Sequence, residues 1–197
     1  MGLVMGTVAT LRVVEPDAAA AERALKAGLR ALVRADSLAS RHRPSPDMAA
    51  LNAGEAGRWI AVAPDLFSIL ERAQGHARVT HRAFDPTLLP LLLLWSFDDA
   101  PRVPSAEEIA GARARTGAGG MELDPTRSAV RWSAAGMGVD LGGIAKGWGI
   151  DRAVEAMQAA GATRGRVEVG GDVRVFGRGP GALGWRIGIQ HPRDPAS

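Results

Sequence analysis

Val139-Asp140-Leu141-Gly142-Gly143-Ile144-Ala145-Lys146-Gly147 is the stretch on which the reading of this chain turns. A carboxylate closes one segment, paired glycines turn the chain, and a lysine stands in the first turn of what reads as a helix. That helix runs on to Ala160, with Ile144, Trp148, Ala153 and Met157 facing inward. Glycines let backbone groups come close to a ligand, and a helix N-terminus favours an anion such as phosphate. The same residues also suit a tight turn with a capping aspartate and a surface lysine, and both readings stand at this level. A nucleotide-binding P-loop is excluded, because Gly147 rather than Ser or Thr follows Lys146.

Working outward, Val4 to Val14 alternates as a strand, and Pro16-Asp17 opens a helix with Ala21, Leu25, Leu29, Leu32 and Val33 at helical spacing. Ser37 to Ala53 is polar and proline-bearing and reads as a loop. Pro64-Asp65 opens a second helix whose inward stripe is Leu66, Ile69, Leu70 and Ala73. Ser105 opens a third, with Glu108 placed to complete a capping box. Met121–Leu123 and Ala129–Trp132 flank a turn and predict a β-hairpin. Arg166 to Phe176 and Trp185 to Gln190 read as strands joined by the turn around Pro180. Helices and strands mix without regular alternation, which places the chain in the α+β class.

Composition narrows the chemistry. The 197 residues carry 46% hydrophobic and 23% charged residues, an ordinary globular balance, and no cysteine. Disulfides, thiolate metal sites and thiol nucleophiles are therefore excluded. The net charge is +3 and Lys26 and Lys146 are the only lysines, so the basic isoelectric point of about 10.4 comes from arginine. No basic run interleaves with aromatics, and the sequence gives no reason to expect nucleic acid as a partner. The longest apolar run, Leu88 to Trp95, contains Pro90 and is too short to span a bilayer. The start of the chain shows no secretory signal, and the compartment is left open.

Further constellations stand along the chain. Ala83-Phe84-Asp85-Pro86-Thr87 forms a rigid corner able to aim a carboxylate or an amide at a ligand, or to serve simply as a passage from helix to loop. Gly170-Gly171-Asp172 inside a β-rich run suggests a bulge or a close backbone approach, with Asp172 either a ligand group or an ordinary turn carboxylate. Ser40-Arg41-His42-Arg43-Pro44, leading to Leu51-Asn52, offers a ring and guanidinium groups that could stack on a flat heterocycle.

Together and in order, these blocks resemble one family. Met5-Gly6-Thr7, the Ser40–Asn52 loop, Phe84-Asp85-Pro86-Thr87 with Pro90 and Leu94-Trp95, Asp140 to Gly147, Gly170-Gly171-Asp172 and Trp185-Arg186-Ile187-Gly188-Ile189 match motifs of the ApbE flavin transferases. The resemblance covers essentially the whole chain. It implies an α+β fold with a mixed large sheet packed with helices (T-fold-like), read as one domain over 1–197. It implies Mg²⁺-dependent transfer of FMN from the substrate FAD to a Thr or Ser hydroxyl of an acceptor protein, with release of AMP.

By the same resemblance, Met5 and His42 would contact the flavin, His42 standing where the family usually has Tyr or Trp. Ala83, Phe84 and Asp85 would line the adenine and ribose side, Asp140 and Lys146 would contact FAD, and the Gly143 carbonyl would be a metal ligand. No catalytic residue is assigned. The resemblance also implies that the chain stops before the family's closing segment, which carries further metal ligands; His191-Pro192-Arg193-Asp194-Pro195 resembles part of that segment but belongs to the stretch after Trp185. Hydrolysis of FAD to FMN and AMP, a non-catalytic flavin-binding module and an inactive fragment are the alternatives.

Overall fold

The computed structural model describes residues 2–40, 44–95, 102–181, 184–189 and 191–194. Two compact units divide the chain, Met1–Val33 with Gly149–Ser197, and Arg34–Trp148. The α+β class is borne out, with helices packed among two antiparallel sheets.

The first unit carries a four-stranded sheet in the order β1-β2-β6-β7, where β1 is Gly2–Val4, β2 Thr7–Val13, β6 Gly165–Val169 and β7 Asp172–Phe176. The expected single strand from Val4 is in fact a hairpin. Val4 pairs with Thr7 across Met5 (φ 51°) and Gly6 (φ 71°). Positive φ at both central residues is the two-residue turn whose twist matches that of its strands. A methionine in the left-handed region carries no sequence signal for that turn, which is why the alternation pattern ran through it. Gly170 (φ 55°) and Gly171 (φ 93°) likewise form the turn between β6 and β7, where Val169 pairs with Asp172, rather than a bulge within one strand.

One face of this sheet is covered by the first turns of α1 (Ala18–Ala39) and the later turns of α6 (Gly142–Ala159). Ala9, Val167 and Val169 pack with Ala24, Leu32, Ile150, Ala153, Val154 and Met157. Asp17 starts α1 as expected, its carboxylate accepting from the Ala19 amide at 2.9 Å. The inward stripe of α1 differs from the expected one. Leu32 is buried and Leu25 packs against the core as expected, but Ala24 is buried beside them while Leu29 and Val33 are 40% and 53% exposed. Gly28 explains the choice: a Cβ there would lie 2.7 Å from Leu11 Cδ2, so the helix turns its small residues to the sheet and approaches closely. The expected strand at Trp185–Gln190 is not found over 184–189, where no ladder partner exists among the described residues. An apolar alternation makes a strand only where a neighbour supplies hydrogen bonds. Trp185 instead donates its Nε1 to the Gly177 carbonyl at 3.1 Å.

The second unit carries a three-stranded sheet, β3-β5-β4, made of β3 (Trp59–Ala61), β4 (Met121–Asp124) and β5 (Ala129–Trp132). The expected β4–β5 hairpin is present, with Met121 opposite Trp132 and Asp124 opposite Ala129. Helix α3 (Pro64–Val79) buries Leu66, Ile69, Leu70 and Ala73 as its period predicts. Helix α5 (Ala106–Arg113) begins with the expected capping box between Ser105 and Glu108.

The expected loop between Ser37 and Ala53 is largely helical. Helix α1 continues to Ala39, and α2 (Pro46–Asn52) follows, capped by Ser45, whose hydroxyl accepts from the Met48 amide at 3.2 Å. Ser at the cap with Pro at the first helical position is a helix-start signal, and Met48 and Leu51 bury against the unit's core. A short helix α4 (Leu89–Trp95) occupies the apolar run around Pro90.

Candidate functional site

The Ala83–Thr87 corner is organised from within. Helix α3 ends at Val79 with Thr80 as its C-cap, and His81 (φ 51°) and Arg82 (φ 67°) both adopt left-handed backbone. The Arg82 amide donates back to the Ala77 carbonyl at 2.8 Å, and the Phe84 amide donates to Thr80 Oγ1 at 3.1 Å. Such backbone is unfavourable for residues with a Cβ, and it concentrates next to the corner.

Asp85, only 8% exposed, turns its carboxylate inward. Oδ1 accepts from the Thr87 amide at 2.9 Å and from Thr87 Oγ1 at 2.6 Å, and Oδ2 accepts from the Ala118 amide at 3.3 Å. Thr87 is fully buried, and its hydroxyl in turn accepts from the Gly117 amide at 2.6 Å. The Asp85 carboxylate is thus engaged by the chain itself, and the corner presents its backbone and the half-buried Phe84 ring. That ring stands edge-on to His76, with centroids 6.5 Å apart.

The glycine-rich turn meets this corner. The Asp140 amide donates to the Pro86 carbonyl at 2.8 Å. A Cβ on Gly143 would lie 3.1 Å from Phe84 Cε2, so the first turn of α6 rests against the phenyl ring. Asp140 caps that helix, its Oδ1 accepting from the Gly142 amide at 2.9 Å. Helix α6 therefore begins at the glycines themselves, two residues after Asp140, and Lys146 lies in its second turn rather than its first. Gly142 and Gly143 are exposed, and Lys146, one turn further along the same helix, is half-buried.

A third block converges here. Asn52, the last residue of α2, accepts from the Val139 amide through Oδ1 at 2.8 Å and donates from Nδ2 to the Val139 carbonyl at 3.1 Å. The Trp132 indole Nε1 donates to the Leu51 carbonyl at 2.8 Å and anchors the end of α2. Of the expected site residues, Ala83, Phe84, Asp85, Asp140, Gly143 and Lys146 thus belong to the second unit, and the corner and the turn are in contact there. Met5 belongs to the first unit, at the β1–β2 turn. His42 lies outside the described residues. Sequence reasoning overlooked Asn52 as a structural contact, and no local signal marks it.

Among the described residues, no group of three His, Cys, Asp or Glu side chains is placed to hold a metal ion. Mg²⁺ usually keeps several waters and shares substrate phosphates, so it needs only one or two protein oxygens.

An α+β chain in whose second unit the Ala83–Thr87 corner meets the glycine-rich Asp140–Lys146 turn is the class defined by this fold and site. Compared with known proteins, residues 5–197 match the family model described as the ApbE family. The chain is 28% identical over 195 residues to the FAD:protein FMN transferase of Vibrio cholerae, covering 97% of this chain and 58% of that protein. It is 32% identical over 200 residues to a protein of the same name from Klebsiella pneumoniae, covering 98% of this chain and 57% of that one. Among solved structures, the ApbE protein of Thermotoga maritima superposes with a TM-score of 0.87 at 32% identity, covering 98% of this chain and 63% of that chain. The apo form of the Pseudomonas stutzeri flavinyl transferase ApbE superposes with a TM-score of 0.85 at 30% identity, covering 95% and 61%. The chain belongs to the ApbE family, and it spans 57–58% of the length of these two curated relatives.

Proposed function

We propose that this chain is part of an enzyme that transfers FMN from FAD to a Thr or Ser hydroxyl of an acceptor protein. The observation that carries the reading is the contact of the Asp140–Lys146 turn with the Ala83–Thr87 corner, together with relatives named FAD:protein FMN transferase. A helix end with exposed glycines, an adjacent lysine and a carboxylate suits a pyrophosphate and the ribose beside it.

In the transfer, the acceptor Oγ attacks the flavin-side phosphorus. The Oγ–P bond forms, the bridging P–O bond to the adenosine-side phosphate breaks, AMP leaves and the hydroxyl proton is released. Such transfers depend mainly on positioning and on cationic stabilisation of the phosphates. Lys146 would hold phosphate charge, Phe84 with the Ala83 and Asp85 backbone would line the adenosine side, and Met5 and His42 would face the flavin. Mg²⁺, when bound, would neutralise pyrophosphate charge, with the Gly143 carbonyl as one of its oxygens.

Fluorescence titration with FAD in the presence of Mg²⁺ tests the binding, with saturable quenching expected. A second arm adds an acceptor domain bearing a Ser or Thr flavinylation site. Fluorescence and an FMN mass gain on the acceptor band mark transfer, whereas free FMN and AMP alone mark hydrolysis. Absence of saturable FAD binding would overturn the reading.

A further inference from the structure

We propose that Asn52 is a positioning residue for the Asp140–Lys146 turn, acting through the backbone of Val139 and not by touching a ligand. The inference rests on the FAD reading above.

Val139 is 2% exposed and belongs to no strand. Its buried amide and carbonyl must nevertheless be paired. Asn52, 87 residues earlier in the chain, pairs both with one planar carboxamide. A primary amide is the side chain that presents a donor and an acceptor side by side, as a neighbouring strand would. The fit is close: a Cβ on Gly138 would approach Leu89 Cδ2 at 2.8 Å and Asn52 Oδ1 at 3.2 Å.

Asn52 is itself held, because the neighbouring Leu51 carbonyl receives the buried Trp132 indole. On the far side of Val139, the Asp140 amide is tied to the Pro86 carbonyl. The segment entering α6 is therefore gripped at two successive residues, once by α2 and once by the phenylalanine-bearing corner. Loosening the first grip lets Asp140 and the helix end shift together, and a displacement of about 1 Å is enough to matter at a phosphate-binding site.

The exchange Asn52→Asp discriminates, since it keeps the size and the acceptor for the Val139 amide but sets a carboxylate against the Val139 carbonyl. Asn52→Ala removes both bonds. Ile69→Val serves as the packing control: it removes one buried methyl from α3 and leaves the carboxamide and its support in place. Amide hydrogen exchange at Val139 and Asp140, thermal midpoint and FAD titration are read for each.

The Asn52 variants should exchange both amides faster and bind FAD on the order of tenfold more weakly, while Ile69→Val lowers the midpoint and keeps FAD affinity within about twofold. Parent-like FAD affinity in folded Asn52 variants overturns the proposal, and so does an equal loss in Ile69→Val, which would make the effect one of general stability. Should the Asn52 variants not fold, the parent decides: FAD must protect the Val139 and Asp140 amides more than those of β5, and equal protection overturns the proposal. Failure of the parent to bind FAD would remove the FAD reading as well, whereas the preceding outcomes remove only the role of Asn52.

Discussion

The amide of Asp140 donates to the carbonyl of Pro86 at 2.8 Å, joining the glycine-rich turn to the corner that follows α3. Through this bond, two segments that each look like an ordinary turn become one surface. Its neighbours on either side are the Asn52 grip on Val139 and the contact of Gly143 with Phe84.

Asp140 has a structural duty and a proposed ligand duty, and substitution separates them. Asp140→Asn keeps an acceptor for the Gly142 amide and loses the charge, while Asp140→Ala loses the cap. The alanine variant should cost about 1 kcal/mol of folding stability in urea denaturation, and the asparagine variant little. Both should weaken FAD binding in fluorescence titration.

Lys146 carries the charge proposed to face phosphate. Lys146→Met preserves the length and apolar character of the stem. The variant should lose about 1.5–3 kcal/mol of FAD binding, the range of a charge-assisted hydrogen bond, with a thermal midpoint close to the parent's. Unchanged affinity would make the lysine a surface residue of α6.

Thr87 is fully buried, and its hydroxyl bridges Asp85 and the Gly117 amide. Thr87→Val keeps the shape but leaves the Gly117 amide without its acceptor and the Asp85 carboxylate short of a donor. Destabilisation of about 1–3 kcal/mol is expected in urea denaturation. The loss should be largely absent when Thr87→Ser restores the hydroxyl.

Arg82 holds φ at 67°, and its Nε lies 3.5 Å from Asp85 Oδ2 with the side chain 64% exposed. Removing so exposed an ion pair costs little. Arg82→Ala and Arg82→Gly lose it equally, but only glycine relieves the left-handed strain, against its greater entropy when unfolded. The glycine variant should be more stable than the alanine variant by about 0.5–1 kcal/mol in paired thermal melts.

Glu108 links stability to pH. The Arg102 guanidinium, and then the Ser105 amide, hold its carboxyl down from 4.5 to about 2. A carboxyl depressed in the folded state stabilises the fold above its unfolded value and loses that contribution as pH falls through its folded value. The thermal midpoint difference between the parent and Glu108→Gln should therefore be full above about pH 5 and shrink progressively towards pH 2. A difference that stays constant across this window would contradict the assignment.

Where the chain announced its structure correctly, the signal was local. The capping box at Ser105, the stripe of α3 and the β4–β5 hairpin are each written within a few residues, so a short window contains the whole cause. The Met5-Gly6 turn escaped because its backbone is set by the pairing of Val4 with Thr7 and not by a turn-forming residue at Met5. Helix α2 escaped because its polar, proline-bearing sequence suits a loop equally well until Met48 and Leu51 find a core to enter.

The primary structure alone carried the family blocks and the residue types that suit phosphate: a carboxylate, paired glycines and a lysine at a helix start. Which way Asp85 points, which small residues α1 turns to its sheet, and that Asn52 grips Val139 were decided by tertiary packing. The physical reason is that a buried polar group takes whichever partner the closed fold brings within about 3 Å, and residues 52 and 139 become neighbours only after the intervening chain has packed.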